Sequence, residues 1–426
     1  MLVTLAVTSG PLAGRSFPFE GHDVFLVGRS PNAHCRFPED DPYFSRVHFL
    51  VEINPPRCRL TDMGSRNGTF VNGRKVEVVD LAEGDEIRAG HTRFAVRVDA
   101  TPSLLGPLID APGDTLTDIG VPANWEEIRE RMAAPPNELS ASTVMPREDG
   151  PPRVAGYEIA REIGRGSMGV VYLARREADG RDVAVKVIHP AQAEDPEATA
   201  RFLREAETLG RFSHPNIVAF HEAGEVSGLL YFVMEYVKGT DVAKVLGERP
   251  RVEPRTAVRL AIQVLDALAH AHAKGLVHRD IKPANVLLAD LPDGRRQVKL
   301  ADFGLARVYR ASQISGLTQL GDLGGTPAYM PPEQITNYRD VMPAADQYST
   351  AAMLYHMLTG HWVFDLPPMP GGLLTILNKD PVPFVARRPD LPVPLGDVIH
   401  KALAKKPADR YPDVAAFRQA LVPFGR

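Results

Sequence analysis

The sequence predicts a multidomain protein, an all-β sandwich followed by a larger α+β domain, and three observations carry that prediction. Residues 1–99 break into short runs of alternating apolar and polar residues separated by turn formers. Residues 100–152 hold nine prolines and nine Asp/Glu against three Arg, a net charge of −6. Residues 153–426 open with strand-like runs and continue with long helical patterns. A chain of 426 residues is long enough for about two to four domains of roughly 100–200 residues each.

Phe49-Leu50-Val51-Glu52-Ile53 and Phe94-Ala95-Val96-Arg97-Val98 are typical of the first region. Asn72-Gly73 separates Thr69-Phe70-Val71 from Arg74-Lys75-Val76, and that dipeptide tolerates the positive φ angles of a tight hairpin. Many short strands at this spacing predict a β-sandwich. The Pro-rich, acidic stretch that follows reads as an extended linker. Within it Asn124 and Glu127 form a capping box, and Trp125, Ile128 and Met132 share a helical face. That segment reads as a docking helix or a frayed one, since isolated helices this short are marginal. In the third region Thr256–Leu268 carries a helical pattern. The domains expected are 1–99, 100–152 and 153–426.

Composition excludes several function classes. A net charge of −4 gives no global basic field for nucleic acid or anionic lipid. Two cysteines, Cys35 and Cys58, are too few for a disulfide scaffold or a zinc site and read as reduced, buried thiols. Met1–Val7 lacks a basic start and reads as a first strand rather than a leader. No run of about 18 uncharged apolar residues occurs, so no helix is expected to span a membrane and a cytoplasmic location is expected.

Four motifs carry chemistry in the third region. Gly164-Arg165-Gly166-Ser167-Met168-Gly169 lets backbone N–H groups approach phosphate closely. Alone such a run is weak, but Val170-Val171-Tyr172-Leu173 continues it as strand, where a dinucleotide fingerprint opens a helix. Lys186 ends Val183-Ala184-Val185, and the helical Arg201–Glu207 segment offers Glu205, with Glu207 as the rival, as its ion-pair partner. His278-Arg279-Asp280-Ile281-Lys282-Pro283-Ala284-Asn285 is highly specific. Asp302-Phe303-Gly304 supplies a carboxylate for a hard cation. Gly325-Thr326-Pro327-Ala328-Tyr329-Met330-Pro331-Pro332-Glu333, Ala345-Asp346-Gln347 and Asp409-Arg410 follow in order.

In that order, residues from about 157 to 420 resemble the bacterial, eukaryotic-like Ser/Thr protein kinase family. The resemblance implies a two-lobed α+β protein kinase fold with ATP between the lobes. Ile163, Val171, Ala184 and Leu287 would sandwich the adenine, and Glu235 and Val237 would bond it through the backbone. Gly164, Gly166 and Gly169 would cover the phosphates, with Lys186 on the α- and β-phosphates. Asp280 would take the proton of the attacking hydroxyl, and Lys282 would steady the γ-phosphate. Asn285 and Asp302 would hold Mg²⁺, with Mn²⁺ as an alternative, and Glu333 would pair with Arg410. Lys282 and Thr326 imply Ser/Thr rather than Tyr acceptors, and Leu305 leans toward serine. Pro331 and Ala351 depart from the usual Ala and Gly of the family, away from the phosphates. Arg279 implies control by an activation-segment phosphate, with Thr318 the first candidate and Ser315 and Ser312 after it.

The first region resembles a forkhead-associated (FHA) domain, on Gly28-Arg29, Ser45-Arg46-Val47-His48, Asn67-Gly68-Thr69 and Asn72-Gly73 taken in order. The resemblance implies phosphothreonine capture by Arg29, Ser45, Arg46, Arg66 and Asn67, with His48 bracing the loop. The ligand expected is a phosphothreonine-containing protein or the chain's own phosphorylated linker at Thr115, Thr117 or Thr143. Lys186, Glu205, Asp280, Asn285 and Asp302 are all present, which favours an active enzyme on protein Ser/Thr over a catalytically silent adaptor. Pro332-Glu333 and Thr326 disfavour a small-molecule kinase.

Overall fold

The computed structural model describes residues 2–19, 23–30, 33–54, 57–99, 153–166, 169–188, 206, 213–226, 229–303, 327–336, 342–367 and 371–426. The linker with its expected helix, Glu205, Glu207, Gly304, Leu305, Ser312, Ser315, Thr318 and Thr326 lie outside those residues.

The expected sandwich is present. One sheet runs β2 (Ser16–Phe19), β1 (Leu2–Ser9), β11 (Thr92–Asp99), β10 (Glu86–Ala89), β7 (Thr69–Val71), β8 (Arg74–Val76). The other runs β4 (Cys35–Arg36), β3 (Asp23–Gly28), β5 (Phe49–Asn54), β6 (Arg57–Asp62), β9 (Val78–Asp80). Asn72 (φ 49°) and Gly73 (φ 80°) form the β7–β8 turn, both in the region that a two-residue hairpin requires. Alternate residues fill the core, where Phe49 meets Phe94 edge-on at 5.5 Å across the two sheets. Cys35 and Cys58 are free and buried, and burial pushes each thiol up to about 12, so neither is a thiolate near neutral pH.

The second domain has the two lobes expected. The small lobe is an antiparallel sheet in the order β12 (Tyr157–Gly166), β13 (Gly169–Arg176), β14 (Asp182–Ile188), β16 (Leu229–Glu235), β15 (Phe220–Val226). The large lobe begins with β17 (Gly239–Asp241) and α1 (Val242–Glu248), then α2 (Pro254–His272), β18 (Val286–Asp290) and β19 (Arg296–Leu300). It continues with α3 (Pro332–Thr336), α4 (Ala344–Thr359), α5 (Gly371–Asn378), α6 (Phe384–Arg387), α7 (Val393–Ala402) and α8 (Val414–Leu421). Glu253 caps α2 by accepting from the Arg255 and Thr256 N–H groups, and Pro254 stands first in the helix, where its missing N–H costs nothing. Its stripe Val258, Ala261, Leu265 and Leu268 packs into the lobe. Helix α4 is buried nearly all round, as the central helix of a globular lobe must be, and ends at Gly360 in the left-handed conformation. Among the described residues no helix is long and apolar enough to cross a membrane.

Strand β3 is apolar on both faces. Phe25 and Val27 enter the sandwich core, while Val24 and Leu26 point outward and are buried with Leu50 in the cluster that holds the large lobe together. Helix α3 packs on this outer face.

Candidate active site

The glycine-rich run spans the end of β12 and the start of β13, which pair antiparallel. Gly166 pairs with Gly169. Gly169 sits at φ 152°, and a side chain there would strike the Val187 carbonyl, which makes glycine obligatory. Antiparallel pairing then sets Gly164 opposite Val171 and Val171 opposite Lys186. Ile163, Val171 and Ala184 therefore lie on three adjacent strands. Leu287 lies on β18 and is partly buried, and Glu235 and Val237 stand at the end of β16 and just past it. The Glu235 N–H donates to the Ala219 carbonyl at 2.8 Å. Its carboxylate pairs with Lys299 at 2.9 Å, a contact that the sequence did not single out.

Lys186 is buried, and its Nζ lies 2.8 Å from Asp302 Oδ1. Burial works to raise the Asp302 carboxyl, but the Lys186 ammonium, helped by Lys282 and His278, outweighs it and holds the group below the ordinary carboxylate value. The described partner of Lys186 is thus Asp302, while the expected Glu205 is outside the described residues.

Asp280, Lys282 and Asn285 converge. Lys282 Nζ donates to Asp280 Oδ2 at 2.8 Å, and Asn285 Nδ2 donates to the Asp280 carbonyl at 2.8 Å and to Oδ2 at 3.0 Å. Their loop is held from below by Asp346, at the start of α4. This fully buried carboxylate accepts from the N–H groups of His278 at 2.8 Å and Arg279 at 2.7 Å, and contacts His272 Nε2 at 2.8 Å. In the sequence, Asp346 stands in the Ala345-Asp346-Gln347 motif, which does not by itself mark this task. The lone carboxylate near the start of a helix that carries no other Asp, Glu, Lys or Arg is the signal that could have found it. His278 Nε2 lies 2.9 Å from the Ala301 carbonyl and its ring meets Phe303 edge-on, which joins this loop to the Asp302 segment. Arg279 (φ 69°) and Asp302 (φ 58°) both hold left-handed backbone conformations. Glu333 and Arg410 form a two-pronged pair at 2.6 and 2.8 Å, as expected, with the Arg410 side chain fully buried.

On the sandwich, Gly28 brings β3 against the Ser45–Arg46 backbone. Arg29 N–H donates to Ser45 O at 3.0 Å and Ser30 N–H to Arg46 O at 2.7 Å, so the two arginines are held side by side. A side chain at Gly28 would strike the Arg46 carbonyl. The Arg29 guanidinium donates to the carbonyls of Phe44 and Glu39. Ser45 Oγ accepts from the Arg66 N–H at 3.0 Å, and Asn67 Nδ2 donates to Tyr43 O at 3.0 Å, which ties the two loops together. The buried His48 ring braces them further, with Nδ1 accepting from Ser45 N–H at 3.2 Å and Nε2 3.4 Å from Gly68 O. A cavity of about 390 Å³ opens here, lined by Arg29, Ser30, Glu39, Arg46 and Asn378. Ser30, Glu39 and Asn378 were not foreseen, and Ser45, Arg66 and Asn67 stand outside that lining.

A two-lobed domain with these four motifs in one cleft defines a class, and the comparisons agree. The chain belongs to the protein kinase family: residues 157–419 match the family described as protein kinase domain, and residues 25–90 match the FHA domain family. Serine/threonine-protein kinase PknF of Mycobacterium tuberculosis is 40% identical over 269 residues, covering 63% of this chain and 56% of PknF. The chain thus spans about half the length of that relative. The PknI kinase domain of Mycobacterium tuberculosis is 35% identical in its crystal structure, with a TM-score of 0.50 over 63% of this chain and 96% of that one. Rad53 1-466, solved in complex with AMP-PNP, is 21% identical with a TM-score of 0.53 over the whole of both chains, a likeness of fold.

Proposed function

We propose that the chain is a protein serine/threonine kinase that moves the ATP γ-phosphoryl group to protein hydroxyls, and that its N-terminal domain recruits or regulates it by binding phosphothreonine. The observation that carries this reading is the convergence of Asp280, Lys282 and Asn285 beside the Lys186–Asp302 pair. The acceptor oxygen attacks the γ-phosphorus, its proton passes to Asp280, and the bond to the β–γ bridging oxygen breaks to release ADP. Lys282 balances charge on the moving group, and Lys186 orients the α- and β-phosphates.

Asn285 and Asp302 fit a magnesium ion. With its amide nitrogen engaged by Asp280, Asn285 retains Oδ1 as an oxygen donor, and Asp302 retains Oδ2. One amide oxygen and one carboxylate, completed by phosphate oxygens, suit Mg²⁺, and Mn²⁺ could take the same donors. The ion supplies charge neutralisation at the β- and γ-phosphates. Ile163, Val171, Ala184 and Leu287 would enclose the adenine, with Glu235 and Val237 at its edge, Gly164, Gly166 and Gly169 over the phosphates, and Glu205 behind Lys186. ATP dependence and two inert thiols support a reducing, cytoplasmic setting. The proposed domain limits are 1–99, 100–152 and 153–426.

Arg29, Ser45, Arg46, Arg66 and Asn67 would read the phosphothreonine. Its source is a separate protein or the linker at Thr115, which has Asp118 three residues on. Thr318, then Ser315 and Ser312, are proposed activation-segment phosphosites, whose phosphate Arg279 would grip. Phosphosite mapping after incubation with ATP and Mg²⁺ tests the whole scheme. Asp280→Ala and Lys186→Met should abolish Ser/Thr phosphorylation; near-wild-type turnover by the Asp280 variant would refute the assignment of the centre, and no phosphorylation by the wild type would leave the adaptor reading.

A further inference from the structure

The outward side chains of β3 and β5 do not end at the sandwich. Val24, Leu26 and Leu50 are 1%, 0% and 4% exposed, and they are buried against the large lobe, with Met63 and Val47 beside them. The residues between them, Phe25, Val27, Phe49 and Val51, fill the sandwich core. A strand buried on both faces reads as a continuous apolar run, and Val24–Val27 is one. On a domain standing alone, the outer set would be a contiguous exposed apolar patch, which monomeric domains seldom keep. The element that covers it is α3, the helix directly after Pro331. His34 adds a polar contact: its Nδ1 accepts from Leu26 N–H at 2.8 Å, and the ring hydrogen-bonds the Thr336 backbone.

This docking has a consequence at the phosphate-binding face. The cavity beside Arg29 and Arg46 takes one wall from Asn378, the last residue of α5 in the large lobe. Asn378 is exposed, and its amide is held only by the Leu374 carbonyl one turn back, at 3.0 Å. That amide can donate to and accept from a peptide backbone. The one acid on the cavity, Glu39, is paired with Arg36 at 3.1 Å, which leaves the two facing guanidiniums to set the local sign.

We infer that the sandwich and the kinase large lobe form one composite recognition surface, in which Arg29 and Arg46 hold the phosphate of a phosphothreonine polypeptide and Asn378 of the kinase domain binds its flanking backbone. The partner is a protein already phosphorylated on threonine, seated at the domain boundary beside α5. This rests on the phosphothreonine-binding reading of the N-terminal domain. Residues 100–152 tether the two domains, so an interface of modest intrinsic strength suffices to hold them together.

The test uses the full chain and a fluorescent phosphothreonine peptide selected on it from a degenerate library, with the unphosphorylated peptide as reference. Asn378→Ala, at an exposed helix end, should leave thermal unfolding unchanged and weaken the peptide about tenfold, the loss of one neutral hydrogen-bonded contact to its backbone. Leu50→Asp, or the milder Leu50→Ser, should weaken the same peptide and speed amide exchange over residues 332–336. If Asn378→Ala binds like wild type while Arg29→Ala has lost the peptide, the composite surface is refuted and the phosphothreonine reading stands. If Arg29→Ala also binds like wild type, or the full chain does not favour the phosphorylated peptide, the phosphothreonine reading fails and the composite surface with it.

Discussion

Asp346→Asn tests how the catalytic loop is held. Asp346 is fully buried and carries three polar contacts, two of them from backbone N–H groups of the residues just before Asp280. Asparagine has the same shape but one acceptor oxygen, so its NH₂ must face either the His278 or the Arg279 N–H. A hydrogen bond to a charged acceptor contributes about 1.5–3 kcal/mol and a neutral one about 0.5–1.5, so neutralisation alone weakens the set by about 1–3 kcal/mol. The stranded buried N–H adds about 1–3 kcal/mol more, and the combined loss, which is not strictly additive, comes to about 3–5 kcal/mol. For a domain of this size that corresponds to a fall in Tm of about 6–20 °C. Arg279 at φ 69° would lose the bond that keeps it there, and Asp280 follows it directly. Turnover measured well below the transition should therefore fall about 10–100-fold, the scale of a displaced catalytic group. Calorimetry of the full chain and steady-state kinetics with ATP and a protein acceptor make the measurement. A Tm within a degree of wild type, together with unchanged turnover, would falsify the claim that Asp346 holds the loop.

Three further outcomes follow from the geometry. Glu333→Gln should destabilise the large lobe by about 3–5 kcal/mol, because it leaves the buried Arg410 guanidinium without its countercharge; urea unfolding measures it, and a loss under 1 kcal/mol would contradict the reasoning. Lys186→Met removes the charge that holds Asp302 low. The ionised Asp302 stabilises the wild type fully above the ordinary carboxylate pKa of about 4, and that contribution fades as pH falls through the lowered native value. The Tm gap between wild type and variant should accordingly be widest near neutral pH and narrow toward pH 3, and a pH-independent gap would rule the coupling out. Gly28→Ala should push β3 away from the Arg46 carbonyl and abolish phosphothreonine-peptide binding, with retained affinity in a direct titration as the contrary result.

How much of this was legible in sequence depended on the range of the interaction. The Asn72-Gly73 hairpin, the strand that continues the glycine-rich run and the Thr256–Leu268 stretch of helix α2 are set by residues a few positions apart, and all three follow from local chemistry. The order of motifs was legible too, because each is a short string with its own chemistry. The pairing of Lys186 with Asp302 spans 116 residues and was missed, since nothing local to either residue marks the other. Asp346 was visible as a buried acid only once α4 proved to be buried all round. Asn378 had no signal at all: an Asn ending a short helix is ordinary, and only the docking of a second domain gives it a role.

The backbone shows where local preference yields to the site. Among the described residues, three that are not glycine sit at positive φ, and Asn72 is in a turn that favours it. The other two are Arg279 and Asp302, each at a cost on the order of 1–3 kcal/mol, with aspartate tolerating the conformation better than arginine. Each is pinned by a partner from elsewhere in the fold: Arg279 by Asp346 of α4 through its N–H, Asp302 by Lys186 of β14 through its carboxylate. The local cost is thus offset at Arg279 by a bond within the large lobe and at Asp302 by a bond that exists only when both lobes are folded and apposed. Relaxing either backbone would be locally favourable and would move Asp280 or Asp302 away from the cleft that they share. A glycine at either position would remove the strain and with it the need for the distant partner. That both positions keep a functional side chain instead is the physical reason the sequence names these residues so clearly while concealing the geometry that holds them.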